Sequence, residues 1–248
     1  GDLLIALKGD RAEIERMSIR GGDGTLTAEG QATFGSAPGA QLKVTAQRFR
    51  VLGRIDRQLV TSGNASLTLR PDRLRLEGSV GIDSGLFDIS RSDAPSLDDD
   101  VTVRREAASE AATGEPSQAS PFARATVVAI DIDLGDKLLL RGRGIDTRLA
   151  GQLKISTPGG RMSVNGTVRS EGGTYAAYGQ KLEIERGLVA FSGPVGNPRL
   201  DILALRPNLD VRVGVSITGN ALTPRVRLFS EPDMSETDKL SWLVLGRA

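Results

Sequence analysis

Histidine and cysteine are absent from all 248 residues. Their absence removes the imidazole of a Ser-His-Asp or Cys-His system, every disulfide and every Cys/His metal site. It leaves the compartment open, because a glycine-rich, disulfide-free β protein suits a periplasm as well as a cytosol. Aromatics are nearly as scarce, at 4%, so the stacking platforms used for bases and sugars are missing. Neither charge sign dominates: 32 basic and 31 acidic residues are interspersed, and no basic stripe offers nucleic acid an electrostatic footprint. No run nears the ~18 apolar residues of a membrane span, and no signal peptide is visible. The chain opens mid-strand at Gly1-Asp2-Leu3 and stops abruptly after Gly246-Arg247-Ala248. The expectation is a piece of something longer, with targeting signals outside it.

What is present is alternation. Leu149, Gly151, Leu153 and Ile155 are set against Arg148, Ala150, Gln152, Lys154 and Ser156. Met162, Val164, Gly166 and Val168 alternate with Arg161, Ser163, Asn165, Thr167 and Arg169, and Val211, Val213, Val215 and Ile217 with Asp210, Arg212, Gly214, Ser216 and Thr218. A period of two puts one residue type on each face of a strand. The chain is therefore all-β, with one aliphatic face and one polar face, and its function turns on what covers the aliphatic one.

Three stretches divide the chain. Residues 1–91 hold strands near Leu3–Leu7, Gly24–Phe34, Gln41–Gln47, Asn64–Arg70, Leu74–Val80 and Gly85–Ile89, while Arg11–Ile19 and Arg48–Ile55 are ambiguous. Residues 92–120 are polar and poor in branched aliphatics, the composition of a flexible loop, with Val101–Val103 as a possible short strand inside it. Residues 121–248 are densest, with ten strands from Val127–Leu134 to Arg225–Phe229 and turns at Gly172-Gly173, Pro158-Gly159-Gly160 and others. Short connections favour antiparallel meanders. A terminal helix is expected at about 235–245: Ser235 can N-cap it, Glu236 and Asp238 suit its positive end, and Leu240, Leu243 and Val244 form a stripe.

The candidates for chemistry are weak. Asp131 with Asp133, and Glu183 with Glu185, share strand faces and read as solvated carboxylates. Asp98-Asp99-Asp100 lacks the ligand spacing of a calcium loop. Gly142-Arg143-Gly144 and Gly172-Gly173 do not open helices, so they read as turns or bulges rather than phosphate loops. Nothing supplies a nucleophile–base pair, and no catalytic residue, metal site or cofactor is expected.

The aliphatic face admits two readings. A closed sandwich core is one, with sheets about 10 Å apart. The other is an open groove for alkyl chains: at about 0.8 kcal/mol per buried methylene, a sixteen-carbon chain could gain on the order of 12 kcal/mol before entropy. Left empty, such a groove would exceed the apolar patch a soluble monomer usually tolerates.

The ordered set Gly142–Gly151, Gly172–Leu182, Arg186–Gly193, Asn197–Ile202, Ser230–Ser235 and Leu240–Arg247, with Gly85–Ile89 and Ala94–Val101 before it, resembles the TamB C-terminal domain family. The likeness is good from about 78 onward and weak before. It implies a β-taco, an elongated antiparallel or mixed sheet folded over a hydrophobic trough, in a periplasmic protein anchored in the inner membrane. It implies phospholipid transport between the two membranes and a link to outer-membrane protein assembly through an Omp85-type barrel subunit, TamA. The chain stops short of where such proteins usually continue, so the segment that engages TamA is expected to lie outside it.

On this reading the acyl-contacting residues are Leu149, Leu153, Ile155, Met162, Val164, Val168, Leu182, Ile184, Val211, Val213, Val215, Ile217, Val226 and Leu228. An Asp at Val213 would separate an open trough, which tolerates it, from a closed core, which does not. Two other functions stay open: a chaperone that pairs with unfolded outer-membrane β-barrel strands, and a purely structural β module with a dry core.

Overall fold

The computed structural model describes residues 1–35, 38–90, 126–177 and 179–247. The loop expected over 92–120, with Asp98–Asp100 and Val101–Val103, falls outside them. Fourteen strands form one sheet: β1 (Asp2–Lys8), β2 (Arg11–Gly21), β3 (Gly24–Thr33), β4 (Gly39–Gly53), β5 (Arg57–Arg70), β6 (Arg73–Asp88), β7 (Thr126–Asp133), β8 (Leu138–Gly142), β9 (Ile145–Ser156), β10 (Ser163–Ala177), β11 (Gln180–Gly193), β12 (Arg199–Leu205), β13 (Arg212–Asn220) and β14 (Thr223–Glu231). One helix, α1 (Glu236–Leu245), follows. Neighbours in sequence are neighbours in the sheet and antiparallel, with one exception. β7 and β8 lie in line between β6 and β9, and both run parallel to β6. A parallel pairing needs a long connection, and residues 89–125 separate β6 from β7. The sheet is thus long and mixed, as expected.

Several strands are longer than their alternation suggests. Leu74–Val80 and Gly85–Ile89 join as β6, and Lys181–Arg186 and Leu188–Phe191 as β11. Gly172-Gly173, expected as a turn, lies inside β10, and the ambiguous Arg11–Ile19 falls within β2. Bulges explain the discrepancy. In β2, Ile14 pairs with Gly30 but Met17 with Ala28. In β11, Ile184 pairs with Ala204 but Arg186 with Leu203. In β10, Ser170 pairs with Leu149 but Gly173 with Thr147. An extra residue in one strand flips the parity of every side chain beyond it. The apolar face of β2 passes from Ala12 and Ile14 to Met17 and Ile19, and that of β11 from Leu182 and Ile184 to Val189 and Phe191. Each alternation breaks in sequence while the face continues in space.

The register stacks these residues into rows across the strands. Leu3, Met17, Ala28, Val44, Ala65, Gly78, Ile130, Ile155, Val164 and Gly193 are successive cross-strand partners. At about 4.8 Å between strands, these ten positions span roughly 43 Å. Two glycines permit close approach on this face. Gly151 and Gly166 have φ of 143° and 128°, and a Cβ on either would come within 2.1 Å of a carbonyl oxygen on the facing strand, that of Thr167 or Gln152.

This long face has little above it. Eleven apolar residues are buried among those described, and five of them (Leu182, Ala204, Val213, Val215 and Leu243) form a single cluster at the β11–β14 end. There α1 folds back onto the sheet and places Leu243 at 0% exposure against Leu182 and Val213, also at 0%. Elsewhere the face is mostly half-exposed.

Candidate functional site

The residues expected to contact acyl chains fall into three environments. Leu153, Ile155 and Val164 lie in the long rows, on β9 and β10: Ile155 pairs with Ile130 and Val164, and Leu153 with Ile132 and Gly166. Leu153 and Ile155 are half-buried, whereas Val164 is buried. Leu149, Val168, Ile184, Val215 and Ile217 come together around one cavity of 340 Å³. Leu182 and Val213 are instead covered by α1, and Leu228 packs against the same cluster. Val211 precedes β13 and is half-buried. Met162, just before β10, and Val226, on the last strand, are 62% and 57% exposed.

The cavity also draws on residues that the sequence reading did not single out: Leu140, Ile145, Tyr175, Val189, Ile202 and Ala204. They converge because β11 to β13 align them, Gly187 against Ile202 and Ile202 against Ile217, Ile184 against Ala204 and Ala204 against Val215. In Leu200–Leu205 aliphatics occupy both parities, so alternation could not say which face Ile202 and Ala204 take. The rows of β1 to β6 were missed as well, since no local pattern reports which strand lies beside which.

The helix is fastened at both ends. At its start the Ser235 hydroxyl accepts from the Asp238 N–H at 3.2 Å, and Lys239 pairs with Asp233 at 2.9 Å and Glu236 at 3.1 Å. The hydrogen bond from Lys239 holds the Asp233 carboxyl below its usual range, and Asp233, then Glu236, raise Lys239. At its end the Arg206 guanidinium donates to the carbonyls of Trp242 and Leu243 at 3.0 and 2.9 Å, and Gln180 Nε2 donates to that of Val244 at 3.1 Å. The Trp242 carbonyl also accepts from the Gly246 N–H at 3.1 Å, and the side chains supply donors to the Leu243 and Val244 carbonyls that the helix end leaves without partners.

The opposite face is polar and largely self-neutralised. Asp131 pairs with Lys154 at 3.5 Å, Asp133 accepts from Gln152 at 3.4 Å, and Arg186 pairs with Asp201 at 3.0 Å. Glu185 accepts from Arg212 at 2.6 Å, which raises the guanidinium further, with a smaller contribution from Glu231. Such exposed pairs each contribute little to stability. A larger concavity of 770 Å³ on this side has a mixed lining, with Asp23, Arg48, Arg50, Asp83 and Lys137 beside Val60, Leu86 and Leu139. Gly142-Arg143-Gly144 makes the tight β8–β9 hairpin turn. No helix among the described residues is long and apolar enough to cross a membrane.

A model of the TamB C-terminal domain matches residues 15–248. The chain is 26% identical over 269 residues to the translocation and assembly module subunit TamB of Haemophilus influenzae, a match that takes in all of this chain. It spans 20% of that relative's length.

Proposed function

We propose, from the premise that this chain belongs to the TamB C-terminal domain family, that its apolar face is a trough that carries phospholipid acyl chains. One observation supports the reading above the others. A row of aliphatic and glycine positions crosses ten consecutive strands, and outside the α1 end most of it has no second layer of protein. A sandwich core would bury both sheets; this face is largely half-exposed, and contiguous exposed apolar surface marks sites that bind a ligand, a membrane or a partner. Acyl chains are aliphatic, unbranched and long, and so match a groove that is nearly free of rings and continuous along the sheet.

On this proposal the protein is a non-enzymatic part of a translocation and assembly module. It works in the periplasm within a longer inner-membrane-anchored protein, moves phospholipid between the inner and outer membranes and, with an Omp85-type barrel partner such as TamA, supports outer-membrane protein assembly. The polar face and its ion pairs stay in water while the lipid is held on the other side.

The test is native mass spectrometry with lipid extraction on detergent-free protein. Co-purifying phospholipid that is lost in a Leu153→Asp variant of unchanged fold supports the trough. A lipid-free chain that instead captures peptides from barrel strands would replace this reading with the chaperone one.

A further inference from the structure

We propose that the cavity next to the cluster under α1 is a terminal binding site for a single acyl chain, closed toward the helix by Tyr175, Ala204, Val215 and Ile217 and with the Ser170 hydroxyl as its polar contact. The inference rests on the trough reading and deepens it, because it says where along the trough a chain comes to rest. Its 340 Å³ lies at the lower end of the ~300–1,000 Å³ typical of small-molecule sites, a size for one chain rather than a whole phospholipid. Its walls are mostly aliphatic, Leu149, Val168, Ile184, Ile202 and Ile217 among them, with Thr147, Arg169 and Ser170 as the polar residues of the lining.

Two observations point to a ligand. Ser170 lines the cavity, and its Oγ is buried with no hydrogen-bond partner. It sits over Gly187, where an added Cβ would fall 2.3 Å from that oxygen. A buried hydroxyl left unpaired is unfavourable; turned from Gly187 into the cavity by a rotation about χ1, it would donate to a carboxyl or ester oxygen at the head of an acyl chain. The second observation is the helix. Tyr175, Ala204, Val215 and Ile217 both line the cavity and belong to, or pack on, the cluster that receives Leu243 and Trp242. The surface that would carry a chain onward is therefore already occupied, and a chain arriving from β9 and β10 stops at these four residues, one layer short of α1.

Trp242 is the sole tryptophan, so its emission reads this wall without competing signals. The experiment titrates the full 248-residue chain with 12-bromododecanoic acid, whose bromine quenches an indole at short range through the residues between them, and follows direct binding of plain dodecanoic acid by calorimetry. The expected result is saturable quenching that dodecanoic acid reverses. Affinity should weaken about tenfold in Val168→Phe or in Ile202→Phe, which fill the cavity, and about threefold in Ser170→Ala. Circular dichroism identifies which filling variant keeps the fold. Dodecanoic acid binding without quenching, or quenching insensitive to the filling variants, overturns the terminal site and leaves the trough standing. An unchanged affinity in Ser170→Ala overturns its hydroxyl as the polar contact. No binding to any form overturns both proposals.

Discussion

The sharpest consequence of an open apolar face is that a charge placed on it should cost the protein little and its ligand much. Leu153 is the position to use. It is half-buried on β9 between Ile132 and Gly166 and is far in register from the residues under α1. Full burial of a leucine is worth about 1.5–3 kcal/mol, so losing about half of that in Leu153→Asp should lower folding stability by about 0.8–1.5 kcal/mol. The new carboxylate can still reach water. An acyl chain lying on the face would lose contact for about three methylenes, about 2.4 kcal/mol at 0.8 each. That alone weakens binding on the order of fiftyfold, before the cost of covering a carboxylate with lipid. Chemical denaturation and lipid quantification on the same preparation check both numbers. A loss of 4 kcal/mol or more in stability would mean that Leu153 sits in a closed core, and the argument for a trough would fail with it. Val213, the position that the alternation alone nominates, cannot serve: it is fully buried beneath Leu243, so an Asp there should expel α1 rather than obstruct a lipid.

Gly166→Val should destabilise the sheet by several kcal/mol, since the new Cβ would meet the Gln152 carbonyl oxygen at 2.1 Å with φ at 128°; a thermal melt within a degree of the parent would contradict this. Arg206→Ala withdraws the donor from the Leu243 carbonyl and one of two donors from that of Trp242, which keeps the Gly246 N–H. A loss of about 1.5–3 kcal/mol is expected, with a red shift of Trp242 emission as α1 loosens and little change in strand circular dichroism. The Asp233–Lys239 pair sets a pH window. Asp233 is depressed, so its stabilisation is present above the ordinary value of 3.8 and lost as pH falls through its lower folded value. Lys239 is raised, so its share is present below 10.5 and lost as pH rises through its higher folded value. Trp242 emission should hold steady between those limits and shift beyond them; a midpoint near neutrality would refute the assignment.

The alternation of Leu149–Ile155 and Val213–Ile217 made strand identity and the aliphatic face legible from sequence, and Ser235 with Leu240 and Leu243 did the same for the helix. What stayed hidden is non-local. A bulge such as the one at Glu171-Gly172 reads in sequence as the end of a strand, because glycine and a broken period are also what turns look like. The cavity depends on Ile202 meeting Ile217 across two strands, and no single strand's pattern carries that register. The position of α1 was equally invisible. Its stripe announces an apolar contact but not which part of the sheet receives it, so Leu182 and Val213 read as open groove when they are roofed.

The row from Leu3 to Gly193 advances one position per strand, whatever the length of that strand. Distance along the face is therefore counted in strands and not in residues, and the sheet acts as a ruler. Removing one hairpin shortens the path by about 9.6 Å and leaves the remaining surface in register with itself. Lengthening a strand by a bulge changes the width and leaves the reach alone. Chain length can then vary through turns and bulges without altering how far apart the two ends of the face are held, and that spacing can be tuned in steps of a single hairpin.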